Sequence, residues 1–366
     1  MLTIFCAPSR YVQGENATAQ LGTQLRHLGL TNNASIVASR RTADAMADAW
    51  QQALAGEGIS YTTHVFGGEC SQPEIDAGIA AARAADAAVV IGVGGGKALD
   101  TARAIAAEIG VSVVNCPTLA SSDAPCSALS VAYTPDGVFD RLIFYPKNPD
   151  LVLVDTSIVA AAPRRYLVSG MGDALATWYE ARTVIEAHGV NQVGGATSMS
   201  AGALAELCCR TLYADGLAAA IAVDANSVTP ALDRIVEANT LLSGLGFESG
   251  GLAIAHSVHN GLTAAPPTHD FLHGEKVAFG LLVQLVVEGQ PSEEFEQVRS
   301  FCRTVGLPTT LAYLGLSDLD DVTLNEIAQR TVAEGETAHH EPFEVTATMI
   351  ADGIRAADAQ ARAALA

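Results

Sequence analysis

Basic residues are scarce in this chain: 20 lysines and arginines stand against 40 aspartates and glutamates, for a formal net charge of −20. A surface that acidic repels phosphate backbones and anionic headgroups, which sets nucleic-acid and membrane-surface partners aside. Charged residues of either sign make up only 16% of the sequence against 49% hydrophobic. That balance belongs to a well-buried globular enzyme and not to a disordered chain. No apolar run approaches the roughly 18 residues of a spanning helix. The opening MLTIFCAPSRYVQG lacks the basic stretch and long apolar core of a secretion signal. The seven cysteines, at 6, 70, 116, 126, 208, 209 and 302, include no C-x-x-C pair and are odd in number. They read as reduced, mostly buried thiols of a cytoplasmic protein.

A chain of 366 residues is too long for one ordinary core, so two domains are expected. Short apolar runs at Leu2–Cys6, Ser35–Ala38, Tyr61–Phe66, Ala87–Val93 and Val111–Cys116 alternate with alanine-rich amphipathic stretches at Ala17–Leu28, Thr42–Ala55, Pro73–Ala84 and Lys97–Ile109. This alternation predicts a parallel sheet with helices on both faces. Phe139–Asp155 adds two β-like runs joined by a Lys-Asn-Pro turn. From Pro163 onward glycine-broken helices dominate. The expected organisation is an α/β domain over 1–160 and an all-helical domain over 161–366.

The run Ala87–Val93 passes through Gly94, Gly95 and Gly96 into Lys97 and a helix. Consecutive glycines at a helix N-terminus turn backbone N–H groups outward and leave no Cβ to block a pyrophosphate. The pattern is not a clean G-x-G-x-x-G with its acidic partner, and it follows the fourth apparent strand instead of the first. The plain alternative is a tight turn with Lys97 exposed in the first helical turn. A second loop, CPTLASSDAPCS from Cys116, lies at a strand's carboxyl end, where open α/β sheets bind ligands. Thr118, Ser121, Ser122 and Ser127 offer hydroxyls, and Asp123 is its only acid. Local capping by these same residues is the competing reading.

Four of the nine histidines crowd together: His256, His259, His269 and His273. Neutral imidazole is the commonest protein ligand for a catalytic transition metal. His256 and His259 are spaced i, i+3 and His269 and His273 i, i+4, so each pair is expected to share a helix face. The Ala-Ala-Pro-Pro break at 264–267 turns the chain between the two helices. Two nitrogens make a poor site, so a third ligand must come from elsewhere. Asp173, in SGMGDALATWYE, is read at a helix start behind two glycines, where it serves either as a cap or as a carboxylate ligand.

Six segments together, GVGGGKALDTARA, PTLASSDAPCSALSVAYT, YPKNPDLVLVDT, SGMGDALATWYEA, FESGGLAIAHSVHNGLT and HGEKVAFG, resemble the iron-containing (metal-dependent) alcohol dehydrogenases, and within them the glycerol dehydrogenases. They are collinear and cover most of residues 85–280. YVQG at 11–14 and HEPFEVTA at 340–347 extend the likeness. The resemblance implies a dehydroquinate synthase-like architecture, with a Rossmann-like nucleotide domain before a helical one, and a site in the cleft between the domains. It implies zinc, or iron, held by Asp173, His256 and His273, with His259 and His269 in supporting or substrate-facing roles. Gly95, Gly96 and Lys97 match the pyrophosphate loop, and Thr118, Ser121, Ser127, Leu129 and Tyr133 match positions that line the nicotinamide cofactor. Asp123 matches a polyol contact and is a candidate for the proton path; His256 and His273 share the catalytic centre, with His256 also facing the substrate. The implied reaction is oxidation of glycerol or a related vicinal diol to a hydroxyketone, with hydride passing to NAD or NADP. The implied assembly is a homo-oligomer.

One position departs from the family. Where its members carry an acid for the adenosine ribose, this chain has Ser39 followed by Arg40 and Arg41. A carboxylate there repels a 2′-phosphate, whereas a hydroxyl beside arginines accepts it, so NADP(H) use is expected unless the arginines are merely solvated. The same feature lends weight to an alternative, an NADPH-dependent 2-oxo-acid or 2-hydroxy-acid oxidoreductase, which needs a cation for the substrate carboxylate; Lys276 is the one at hand. A non-catalytic dinucleotide- or metal-binding protein is the reading from another class.

Overall fold

The computed structural model of the chain describes residues 1–364; residues 365 and 366 lie outside that part. Two compact units emerge: Cys6–Pro163 with Ala222–Leu241, and Met1–Phe5 with Arg164–Ile221 and the residues from Leu242 onward. The chain thus passes from the first to the second at Pro163–Arg164 and returns for 222–241, where the sequence reading has a single boundary at 160.

The first unit runs β1 (Tyr11–Gly14), α1 (Leu21–His27), β2 (Ala34–Ala38), α2 (Arg40–Ala55), β3 (Tyr61–Val65), α3 (Gln72–Ala84), β4 (Val89–Gly94), α4 (Gly96–Ile109), β5 (Ser112–Pro117), β6 (Leu129–Tyr133), β7 (Phe139–Phe144), β8 (Leu151–Asp155) and α5 (Thr156–Ala160). Six strands form one parallel sheet in the order β1-β8-β5-β4-β2-β3. Strand alternation divides its core into two layers. Ile36, Ile91, Val114 and Leu153 pack with Leu21, Leu25, Trp50 and Leu54 of α1 and α2. Val37, Val90 and Val113 point the other way, against Ile75 and Ile79 of α3 and Ile105 of α4. Both faces are therefore covered by helices, as the alternation predicts.

One strand expectation needs correction. Leu2–Cys6 is not a strand: its only bridge is Thr3 to Ala196, and all of it but Cys6 belongs with the helical unit. The first strand is YVQG, whose mixed polarity hid it because it lies at the sheet edge beside β8. Both runs in Phe139–Asp155 are strands, as expected, and they belong to different sheets. β7 pairs antiparallel with β6 in a separate ribbon, and β8 joins the main sheet.

Then follow α6 (Arg164–Glu186), α7 (Met199–Asp224), α8 (Pro230–Glu237), α9 (Ser243–Gly250), α10 (Ile254–Leu262), α11 (His273–Val287), α12 (Ser292–Val305), α13 (Asp321–Thr331) and α14 (Ala347–Ala363). The α8 segment belongs to the α/β unit. There Gln13 donates to the Asp233 carbonyl at 2.8 Å, the Tyr11 and Thr240 hydroxyls meet at 2.7 Å, and Asn239 donates to the Ala120 carbonyl at 2.9 Å. No helix among the described residues is long and apolar enough to cross a membrane.

In the helical unit α11 is the axis. Gly274 through Leu285 are all buried, and α6, α10, α12 and α14 pack around it. Two glycine contacts set its crossings. A Cβ on Gly274 would lie 1.8 Å from the Ser169 carbonyl oxygen of α6, and one on Gly172 would lie 2.3 Å from the Gly274 carbonyl oxygen. A Cβ on Gly280 would lie 2.3 Å from the Ala255 carbonyl oxygen of α10. The helices meet backbone to backbone, which only residues without a side chain permit.

Candidate metal centre and dinucleotide loop

Those close crossings carry three polar side chains to one point, because each crossing residue has a ligand for its neighbour. Asp173 follows Gly172, His273 precedes Gly274, and His256 follows Ala255. Asp173 Oδ1 lies 3.2 Å from His256 Nε2 and 3.0 Å from His273 Nε2. One donor atom from each of the three residues lies within 4.8 Å of the others. Metal bonds of about 2.0–2.2 Å at tetrahedral angles place neighbouring donors roughly 3.4 Å apart. One carboxylate and two imidazoles at these separations fit a zinc or iron ion and leave coordination positions open.

Asp173 is fully buried. Burial works against its charge, but His273 and His256 outweigh it and hold the carboxyl well below the usual carboxylate range. For His256 burial again works against the cation, and Glu180 and Asp173 outweigh it, raising that imidazole well above the ordinary histidine range.

Glu180, absent from the sequence reading, completes the support of His256. It lies two turns beyond Asp173 on the same face of α6. Its Oε2 is 2.6 Å from His256 Nδ1, while Oε1 accepts the backbone N–H groups of Ala253 and His256 at 2.9 and 3.0 Å. A carboxylate on the far nitrogen fixes the tautomer that presents Nε2 to a metal and raises ligand basicity. The seven-residue spacing in DALATWYE is the signal that could have found it.

The remaining histidines divide. His259 Nε2 lies 3.1 Å from His273 Nδ1, so His259 touches a ligand and is not one itself. His269 is a correction. It does not share a helix with His273, because Pro266–Asp270 forms a 3-10 turn and α11 begins only at His273. Its Nε2 meets the Thr263 carbonyl at 2.9 Å on the surface. Asp173 is corrected too: it sits in the middle of α6 and not at a helix start, because Gly172 serves the crossing with α11 without ending the helix.

In the α/β unit β4 ends at Gly94 and α4 begins at Gly96. Gly95 caps that helix without a side-chain hydrogen bond, and a Cβ on Gly96 would meet nothing within 4 Å. A helix N-terminus with no side-chain cap and room at Gly96 is suited to a pyrophosphate. Lys97 lies in its first turn, paired with Glu69 at 2.6 Å and stacked over Tyr133 at 4.9 Å from the ring centroid. Tyr133 and Leu129 stand on β6.

The loop after β5 is nailed down by side chains that motif reading missed. Arg103 donates to the Ala124 carbonyl at 2.6 Å, Asn115 to Pro125 at 2.8 Å and Asn148 to Cys126 at 2.9 Å. Arg103 is itself buried in an ion pair with Asp100. The Thr118 N–H donates to the Gly94 carbonyl at 3.0 Å, tying the two loops together. Ser127 is buried and donates to Ala124 at 3.1 Å, Ser121 is half-buried, and Asp123 is buried at the start of a 3-10 turn. Ser39 caps α2, its Oγ accepting the Thr42 N–H at 3.2 Å, and Arg40 and Arg41 are exposed in the turn that follows.

Comparison with known proteins gives a consistent picture. The sequence model of the family described as iron-containing alcohol dehydrogenase matches residues 8–156. A glycerol dehydrogenase of Thermotoga maritima is 48% identical, over 99% of this chain and 98% of its own. A glycolaldehyde reductase of Halobacterium salinarum is 47% identical over 99% of both. The crystal structure of glycerol dehydrogenase from Schizosaccharomyces pombe superposes with a TM-score of 0.94 at 40% identity, over 98% of this chain and 91% of that one.

Proposed function

The chain belongs to the iron-containing alcohol dehydrogenase family, and we propose that it oxidises glycerol, or a related vicinal diol, to the hydroxyketone with transfer of hydride to NAD or NADP. The observation that carries this is the Asp173–His256–His273 centre, a buried carboxylate with two half-buried imidazoles and positions left open. Full-length likeness to a glycerol dehydrogenase and to a glycolaldehyde reductase supports a substrate with oxygens on adjacent carbons.

Asp173, His256 and His273 would hold the metal, zinc by the family resemblance, which when bound supplies a Lewis acid for an alcohol oxygen. One buried carboxylate and two neutral rings leave a divalent ion with net positive charge, which suits an oxygen that is losing its proton. Glu180 keeps His256 in the tautomer that allows this. The α4 N-terminus, Gly95, Gly96 and Lys97 would bind the pyrophosphate, and Thr118, Ser121, Ser127, Leu129 and Tyr133 would line the nicotinamide. Asp123 is proposed as the acceptor for the polyol hydroxyls and the first stop of the released proton. A cytoplasmic location belongs to the same reading and is supported by seven cysteines with no bridge between any two. Assembly into a homo-oligomer is supported by the exposed Leu207, Leu217 and Ile221 of α7.

The test is diol-dependent appearance of reduced nicotinamide with purified protein. Turnover with glycerol or another short vicinal diol supports the proposal. Turnover confined to 2-oxo or 2-hydroxy acids would replace it with the acid reductase reading.

A further inference from the structure

The two histidine ligands are supported differently. His256 leans directly on the Glu180 carboxylate, whereas behind His273 the first group is another imidazole. His273 Nδ1 lies 3.1 Å from His259 Nε2, and the two rings meet edge to face with centroids 4.2 Å apart. His259 Nδ1 lies 3.1 Å from Asn260 Oδ1. The Asn260 amide then donates through Nδ2 to Glu336 Oε2 at 2.9 Å, and the other Glu336 oxygen is paired with Arg330. Glu336 comes from a segment far along the chain that also straps α10 by other bonds. Thr337 donates to the Ala253 carbonyl at 2.8 Å, the Ala338 N–H donates to Ser257 Oγ at 2.8 Å, and His340 Nδ1 lies 2.8 Å from the Leu252 carbonyl.

We propose that His259, Asn260 and Glu336 form a positioning chain that fixes the His273 ring with its proton on Nδ1, so that Nε2 is bare toward the metal centre. The direction is set from the far end. An ionised carboxylate only accepts, so Glu336 takes the Asn260 NH2 group and turns the amide oxygen toward His259. An amide oxygen also only accepts, so His259 carries its proton on Nδ1. Neutral His259 then presents a lone pair at Nε2, which the Nδ1–H of His273 must fill. The lone pair of His273 is thereby left on Nε2, the atom 3.0 Å from Asp173 Oδ1. None of the three touches the metal centre itself; each acts through His273.

This rests on the metal reading above and is tested by zinc affinity, measured by competition with a chromophoric chelator, together with the absorption spectrum of the cobalt-substituted protein. His259→Leu removes the acceptor and is expected to weaken zinc binding by about 10–100-fold and to shift the cobalt bands. His259→Gln, whose amide both accepts and donates, is expected to recover most of the loss, which a merely space-filling role would not require. Should His259→Leu fail to fold, Asn260→Ser and Glu336→Ala cut the chain further out, and each is expected to cost about tenfold. Parental zinc affinity and cobalt spectrum in folded variants at all three positions would overturn the chain while leaving the metal reading intact. Parental zinc affinity in His273→Ala would overturn the metal reading itself, and the chain with it.

Discussion

Asp173 and Glu180 grip one imidazole from a single helix: Asp173 Oδ1 lies 3.2 Å from His256 Nε2, and Glu180 Oε2 lies 2.6 Å from its Nδ1. Without metal the two carboxylates hold the ring protonated against the cost of burial. A metal ion needs Nε2 bare, so loading at neutral pH must expel a proton, and affinity should climb with pH until the raised His256 pKa is passed. Titrating metal-free protein with zinc calorimetrically, in buffers of different ionisation enthalpy, checks this. The observed heat should track the buffer; a buffer-independent heat at neutral pH would contradict the account.

Gly274→Ala tests whether the helix crossing builds the centre. The added Cβ would stand 1.8 Å from the Ser169 carbonyl oxygen, so α6 and α11 must separate beside Asp173 and His273. Destabilisation at or above the upper end of about 1–3 kcal/mol is expected, with loss of bound zinc even where the protein still folds. Denaturant unfolding and metal content give the two readouts, and a variant with parental zinc content would show that the crossing is not what sets the ligand distances.

This crossing also explains what the sequence could and could not reveal. The sheet alternation, the glycine run and the clustered histidines are legible because each has a local pattern, whereas Asp173 joins the candidate set only through the family resemblance. Asp173 reads as a helix start because Gly170 and Gly172 look like breakers, and the partner of Gly172, Gly274, lies about a hundred residues away on another helix. His269 was grouped with His273 on spacing alone, although Pro266 and Pro267 confine it to a short turn. Glu180, Asn260 and Glu336 were missed because a supporting carboxylate or amide has no motif until its histidine is placed. Arg103, Asn115 and Asn148 stayed hidden for the same reason, since what they hold is backbone of a loop.

Glu341 is buried, and among the groups around it the Ile254 backbone N–H is the one that favours its charged form. Burial, then Glu288, Glu180 and Glu186, push its pKa from 4.5 up to about 9. The folded protein therefore holds a proton that the unfolded chain releases above its own carboxyl pKa. That stabilising contribution is complete below about pH 4.5 and declines as pH rises toward 9, by up to about 1.4 kcal/mol per pH unit. Glu341→Gln mimics the protonated form, so its advantage in Tm over the parent should widen from pH 5 to pH 9. An unchanging difference across that range would show that the carboxyl is not held protonated.

Ser39 caps α2, its Oγ accepting the Thr42 N–H, and two exposed arginines follow it. NADP is expected to be accepted. Ser39→Asp is expected to lower the NADP to NAD ratio of kcat/KM by about tenfold, the effect of roughly 1.4 kcal/mol of repulsion against a 2′-phosphate. An unaltered ratio would mean that the adenosine ribose does not reach this helix start.

The most direct test of the central claim is to strip the protein with a chelator and add zinc back stepwise while following glycerol-dependent reduction of the nicotinamide cofactor. The account predicts that turnover vanishes on stripping, returns in proportion to added zinc, breaks at one ion per chain, and does not return in His273→Ala. Full turnover in stripped protein, or parental recovery in His273→Ala, would contradict it.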